Sequence, residues 1–583
     1  MKFSHTVEFM VAGGCGSCVV LLSKYDPELD KVEDFTISSC LTLLCNINRC
    51  SITTSEGLGN SKDGFHTIHQ RFTGFHASQC GFCTPGMCVS LFGALINAEK
   101  SNRLEAPPGF SKLTVSEAEK AVAGNLCRCT GYRPIADACK SLAADVDIED
   151  LGFNSFWRKG ESKEEKMKKL PSYNHIDEIC TFPEFLKKEI RFGMSLDSKR
   201  YNWHSPTSVE ELQSLLKASN SSKGTEFKVV VSNTGMGYYK ELERYDRYID
   251  LKHIPELSII RMDQTGVEIG AAVTISKTIE ALKNENFPRD EIMLKKLSSH
   301  MEKIASRFIR NTASVGGNLV MAQRKHFPSD IATILLVVGA TIGIMSGHRF
   351  ERITLEEFLE RPPLDISNVL VSVKIPNSAS TRKVSSENNN ILLFETYRAA
   401  PRPLGNALPY LNAAFLAEVS PSKTSDGILV NRCQLAFGAY GTKHAIRARR
   451  VEEFLTEKLL NADVLYDAVK LVRATVVPED GTASPAYRSS LAAGFLFEFF
   501  SSLIDGGAEM TNSFLDEYKR TSLFKHSELG QKSYQLYSNK IPTMLSSSKQ
   551  VMEFSKEYYP VGEPITKFGA AIQASGRYHF TKT

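Results

Sequence analysis

Two tight cysteine arms carry the strongest chemistry in this sequence, Cys80-Gly81-Phe82-Cys83 and, further along, Cys127-Arg128-Cys129. Four thiolates brought together make one chelating site, and both zinc and an iron–sulfur cluster take four cysteines. Zinc favours two C-x2-C knuckles and a C-x-C arm is less usual for it, so spacing leaves zinc and iron level, with buried inert thiols as the plain alternative. A second set, Cys15, Cys18 and Cys40, lies ahead of these arms. Eleven of the thirteen cysteines fall between Cys15 and Cys139, with Cys180 and Cys433 beyond, so the sulfur chemistry is local.

Glycine turns are the next candidates. Val229-Val230-Val231-Ser232 runs into Asn233-Thr234-Gly235-Met236-Gly237, and a second turn reads Ala313-Ser314-Val315-Gly316-Gly317-Asn318. A strand ending in such a turn lets backbone N–H groups approach a pyrophosphate. Taken alone, both turns are weak signals, and ordinary hairpin and capping glycines are the usual explanation. No Ser/His/Asp or Cys/His arrangement with supporting spacing emerges, and His66, His69 and His76 read as surface or helix-packing residues.

The elements that must position these groups follow from patterning. Residues 19–22 and 35–37 read as short strands around a loop at 26–34, with 41–45 as a short helix or buried strand. From Gly64 the periodicity becomes helical: Pro85 opens a helix, Thr114-Val115-Ser116-Glu117 is a capping box, and Pro134 begins a helix running through Cys139. Four helices with cysteine-bearing loops result. The charged run 158–169 reads as a solvated linker. Residues 304–320 supply a helix followed by the second glycine turn, and the apolar run 331–345 is too short to span a bilayer and reads as a buried helix turning into a strand.

At 583 residues the chain implies roughly three to five domains. Hydrophobic content of 42% with 23% charged residues is globular, and 70 Lys plus Arg against 66 Asp plus Glu gives no field suited to nucleic acid or an anionic membrane. The first fourteen residues lack an export signal, so a reduced, cytoplasmic protein is expected.

The run Gln79-Cys80-Gly81-Phe82-Cys83-Thr84-Pro85-Gly86, with Gly124-Asn125-Leu126-Cys127-Arg128-Cys129-Thr130-Gly131-Tyr132, resembles the helical [2Fe–2S] domain of the xanthine dehydrogenase and aldehyde oxidase family. Longer stretches, such as Ser38-Ser39-Cys40-Leu41-Thr42-Leu43-Leu44-Cys45 and Asn406-Ala407-Leu408-Pro409-Tyr410-Leu411-Asn412, resemble the plant aldehyde oxidases, and the likeness runs over nearly the whole chain. It implies an α/β and α+β multidomain fold. The expected parts are a partial ferredoxin-like β-grasp domain at 1–60, a four-helix [2Fe–2S] bundle at 61–150, a linker at 151–195, and an α+β FAD-binding domain at 196–380. An α+β flavoprotein C-terminal domain follows at 390–505, and 506–583 is a linker with the start of a truncated molybdenum domain.

The resemblance assigns one [2Fe–2S] cluster to Cys80, Cys83, Cys127 and Cys129, and places Gln79 against the molybdenum cofactor that full-length relatives hold. Cys15, Cys18 and Cys40 match the second, third and fourth ligands of the family's first cluster, but Met10 stands in place of the first; a thioether is a poor ligand, so this cluster is expected not to assemble. Cys45 or Cys50 could substitute in principle, but they read more plainly as core or surface thiols. FAD is expected against Val229 to Met236, against Ala313, Ser314, Gly317 and Asn318, and at Asp330 and Leu370. Ser232 replaces a family glycine, which is expected to weaken FAD binding if that position needs positive φ or the close approach of a phosphate. Arg398 stands where NAD-using members have a lysine, and oxygen is the expected acceptor. The expected function is the iron–sulfur and FAD electron-transfer portion of an aldehyde-oxidase-like oxidoreductase. Full-length relatives convert aldehydes, including precursors of abscisic acid and auxin, to carboxylic acids and hydrogen peroxide. No catalytic residue is expected in this chain, so its standing as an enzyme is left open. The alternatives are an inactive truncated paralogue that binds or dimerises with a full-length enzyme, as homodimer or heterodimer, and the product of a truncated gene.

Overall fold

A computed structural model describes residues 13–158, 161–174, 181–188, 195–197, 201–221, 227–239, 245–283, 291–365, 367–377, 390–402, 405, 407–422, 427–439, 444–479, 482–501, 503–504 and 556–577. Met10, Cys180 and residues 506–555 lie outside the described residues.

The N-terminal unit is a three-stranded antiparallel sheet with Val19–Asp26 between Lys31–Ser38 and Ser51–Thr53. Its first two strands are longer than the sequence suggested and pair from Val19↔Ser38 to Asp26↔Lys31, so the expected loop is a tight turn. Two-residue alternation explains the length: Val19 and Leu21 enter the core of the helical unit, while Leu22 faces Ile37 and Cys50.

Helices Thr67–Gly74, Thr84–Glu99, Val115–Val122 and Arg133–Lys140 make the expected four-helix unit. Pro85 sits in the first turn of the second helix, and Thr114 with Glu117 forms the capping box of the third. The charged run is more than a solvated connection. Ser162 and Glu165 cap a helix at Lys163–Lys169, the Trp157 indole donates to the Lys166 carbonyl at 2.9 Å, and Leu170 and Tyr173 are buried in the helical core.

The next region joins two sheets. In one, Asn202–His204, Arg247–Asp250 and Phe227–Val230 pair in parallel, with Ser195–Asp197 antiparallel at the edge. The other is an antiparallel five-stranded sheet ordered Arg349–Thr354, Thr341–Ser346, Asn368–Pro376, Gly266–Gly270, Ile260–Asp263. Around the second glycine turn the long helix follows the turn instead of preceding it: Arg307–Arg310 is one turn, and Val315–Lys325 starts where the Ser314 hydroxyl accepts from the Gly317 N–H at 3.0 Å. Asp330–Val337 is a wholly buried helix leading into Thr341–Ser346, as the apolar run predicted. No helix among the described residues is long and apolar enough to cross a membrane.

The last region lays strands Ile391–Ala399, Leu411–Pro421 and Ile428–Gly438 against helices Ala462–Thr475 and Pro485–Ser501. Helices and sheets are thus mixed in several units, the multidomain class that the sequence implied.

Candidate functional site

Cys80 and Cys83 sit on the turn that enters helix Thr84–Glu99, with Cys83 as its N-cap residue. Gly81 adopts φ +84, a left-handed conformation that suits glycine. Cys127 and Cys129 occupy the loop before Arg133–Lys140, fixed where the Cys127 N–H donates to the Tyr132 hydroxyl at 2.9 Å. The thiols meet as two neighbouring pairs, Cys83 with Cys127 and Cys80 with Cys129. Among the described residues no three or more His, Cys, Asp or Glu side chains converge on a single ion. Two thiol pairs side by side fit a two-iron cluster, which takes four cysteines, better than one zinc. Burial pushes the Cys83 thiol up to about 12. Burial also opposes the Cys127 thiolate, but hydrogen bonds led by the Thr130 hydroxyl, 3.2 Å from its sulfur, bring its pKa below the ordinary value. Cys83 and Cys127 are buried and Cys80 and Cys129 exposed, so the site has an inner and an outer half. Gln79 is exposed beside Cys80.

The N-terminal cysteines are arranged otherwise. Cys18 and Cys40 are neighbours: the Cys40 side chain, ahead of the opposing effect of burial, lowers the Cys18 pKa to about 5 and is itself raised well above its ordinary value. The Ser38 hydroxyl lies 3.3 Å from Cys18 and 3.5 Å from Cys40, and the Cys15 sulfur lies 3.2 Å from the Ser17 hydroxyl. Neither Cys45 nor Cys50 joins them, since Cys50 packs with Leu22 and Ile37 and the charge felt by Cys45 is that of Asp250. Met10 lies outside the described residues.

The loop that carries Cys15 is stitched to the helical site. The Leu126 N–H donates to the Cys15 carbonyl at 2.8 Å, and the Asn125 amide donates to the Gly16 carbonyl at 2.9 Å. Gly16, at φ +82, has Asn125 Nδ2 only 2.6 Å from where a Cβ would stand. On its other side the same loop reaches a cleft of about 680 Å³, whose wall includes Gly13, Gly14 and Leu41.

That cleft collects every residue assigned above to FAD: the run 229–236, then Ala313, Ser314, Gly317, Asn318, Asp330 and Leu370. The first turn follows strand Phe227–Val230, and the second opens the eleven-residue helix Val315–Lys325, whose Gly316, Gly317 and Asn318 line the cleft while their N–H groups donate to the Ala271 carbonyl, the Ser314 hydroxyl and the Ser314 carbonyl. Packing is close, since a Cβ on Gly316 would lie 2.7 Å from the Ala271 carbonyl oxygen. Such a cradle of close-packed backbone and small residues fits a dinucleotide. Ser232 is not among the residues with positive φ, so the expected strain from its Cβ is absent.

Asp330 is the first helical residue rather than the cap, a role taken by Ser329. Its buried carboxylate accepts from His300 Nε2 at 3.1 Å, Asn412 Nδ2 at 3.1 Å and Arg398 Nε at 3.2 Å. Burial raises its pKa, and these donors outweigh that effect. Arg398 also donates to the Ala407 carbonyl at 2.6 Å. His300, Asn412, Leu41 and the Gly13-Gly14 pair carry no local sequence signal, because they reach the site from separate parts of the chain.

Three family models match segments of the chain. Residues 199–378 match the family described as FAD binding domain in molybdopterin dehydrogenase, residues 54–140 a [2Fe-2S] binding domain, and residues 395–503 a CO dehydrogenase flavoprotein C-terminal domain. An indole-3-acetaldehyde oxidase of Arabidopsis thaliana is 58% identical over 570 residues, covering 97% of this chain and 40% of that protein. The abscisic-aldehyde oxidase of Arabidopsis thaliana is 54% identical over 572 residues, with 97% and 41% covered. A probable aldehyde oxidase 4 of Oryza sativa subsp. japonica is 50% identical over 575 residues, with 97% and 66% covered. The chain therefore spans about two fifths of the first two relatives. The chain belongs to the plant aldehyde oxidase family, whose iron–sulfur and FAD-binding portion it carries.

Proposed function

We propose that this chain works as the electron-transfer portion of an aldehyde-oxidising enzyme. Its cysteines 80, 83, 127 and 129 would hold a [2Fe–2S] cluster and its cleft FAD, groups that when bound supply a one-electron relay and a two-electron acceptor. The observation that carries this reading is the loop at residues 13–16, which is hydrogen-bonded beside Cys127 on one side and walls the cleft on the other. The glycine turns bring small residues and close-packed backbone to the cleft wall, where a pyrophosphate could approach, and Asp330 keeps Arg398 fixed there. Because that guanidinium is taken up by Asp330 and the Ala407 carbonyl, it supports oxygen rather than NAD as the final acceptor.

The N-terminal set offers three cysteines in place of four, with serine hydroxyls beside their sulfurs, which supports the absence of a second cluster. The names of the relatives support an aldehyde substrate for the whole enzyme, with a carboxylate and hydrogen peroxide as products. Free thiols at every described cysteine suit a reducing compartment, and we place the protein in the cytoplasm. Exposed Ile565 and Phe568 support pairing with a second copy or with a full-length relative, which light scattering and co-purification would test.

Anaerobic purification with iron and flavin analysis, followed by electron paramagnetic resonance after mild reduction, tests the central reading. One rhombic signal, about two irons per chain and bound FAD are expected. Two distinct signals would show that the N-terminal set also assembles, and absence of both iron and flavin would overturn the proposal.

A further inference from the structure

Residues 556–577 fold back onto the helical unit. Ala570 and Ala574 of the short helix Ala570–Ala574 are buried, and Ala574 enters the helical core. The Ser55 hydroxyl donates to the Ala574 carbonyl at 2.7 Å, with buried His69 Nε2 standing 3.2 Å behind it, and Arg577 pairs with Glu56 at 2.9 Å. These contacts fix Gln573, itself 6% exposed, against the turn that carries Cys80.

Chemistry orients the Gln573 amide. The Lys567 ammonium, 2.7 Å away, can only donate, so it faces Oε1, which also accepts from the Ser78 hydroxyl at 3.1 Å. The NH2 group is left for the Cys80 carbonyl, an acceptor, at 3.1 Å. Lys567 donates in addition to the Gln79 carbonyl. A Cβ on Gly81 would stand 2.6 Å from the Gln573 side chain, so the amide lies flat on the turn. Cys83 and Cys127 are held by the core, whereas Cys80 and Cys129 are exposed and lack that support. The amide supplies to the outer half what burial supplies to the inner half.

We infer that Gln573, with Lys567, is a positioning residue for the cluster site, holding the Cys80 turn so that its thiol meets that of Cys129. The inference rests on the reading of Cys80, Cys83, Cys127 and Cys129 as cluster ligands. Three variants of the intact chain test it: Gln573→Ala, Gln573→Glu and Ser575→Ala. Gln573→Glu keeps the shape and the contacts to Lys567 and Ser78, but sets an oxygen against the Cys80 carbonyl. Ser575→Ala removes a hydroxyl that bonds within its own helix, to the Ile572 carbonyl at 3.1 Å.

Both Gln573 variants should release iron to a chelator about five- to tenfold faster, the order expected for one lost buried hydrogen bond. Both should alter the line shape of the resonance signal, and Gln573→Glu should lower the reduction potential by adding negative charge. Ser575→Ala should behave as wild type, and flavin content should hold throughout. Wild-type spectra, potential and iron release in both Gln573 variants would overturn the inference. If Gln573→Ala loses flavin as well as iron, the chain has misfolded and Gln573→Glu decides by the same readings. A wild-type chain without any cluster signal would instead refute the ligand reading. Amide hydrogen exchange at residues 78–81 of the iron-free protein then decides: faster exchange in Gln573→Ala supports the clasp, and unchanged exchange overturns it.

Discussion

In the helical unit Cys83 caps a sixteen-residue helix and the Cys127 backbone is tied to Tyr132, so both thiols rest on elements with their own buried core. In the N-terminal unit Cys18 lies just ahead of a strand, Cys40 sits in the 3-10 turn Ser39–Leu41, and Cys15 lies on a loop whose backbone bonds reach another unit. Four sulfurs meet as two pairs in the first case. In the second, one pair forms and the third sulfur turns to a serine hydroxyl. Cysteine density is therefore a poor guide to a metal centre; what matters is how many thiols the backbone brings face to face, and how firmly.

The sharpest break in the comparison is Cys127→Ser. It should abolish the resonance signal and remove about two irons per chain while leaving FAD bound. Gly86→Ala should come next, because the added Cβ would overlap the Gly16 carbonyl oxygen, a backbone atom with little freedom to move. We expect a loss of about 1–3 kcal/mol in denaturant unfolding, the usual range for overpacking, and slower reduction of flavin through the helical site in stopped-flow. Asn125→Ala, which removes the donor to the Gly16 carbonyl, should cost about 1 kcal/mol in the same unfolding measurement and leave iron content unchanged. Cys15→Ser should do least, with iron per chain and signal intensity as in wild type. Equal losses from Cys127→Ser and Cys15→Ser would erase the distinction between the two thiol sets.

Much of the helical site was legible in the sequence because its signals are short-range. The cysteine spacing, Pro85 and the Thr114–Glu117 capping box each lie within a few residues of what they determine. The strand ahead of the first glycine turn and the buried helix at Asp330–Val337 were legible for the same reason. Misreadings arose where local pattern was ambiguous: the helix near 304–320 starts after the glycine turn, and the charged run at 158–169 hides a capped helix.

The sequence by itself singled out the four-cysteine set, the two glycine turns and the class of the fold, since residue type and spacing along the chain limit what a short segment can chelate or turn around. Tertiary structure alone decided that the loop at residues 13–16 lies between the helical site and the cleft, and that His300, Arg398 and Asn412 close around Asp330. It alone set Gln573 on the Cys80 turn, 493 residues away. Such contacts depend on how whole cores pack against one another, and no window of neighbouring residues records that packing.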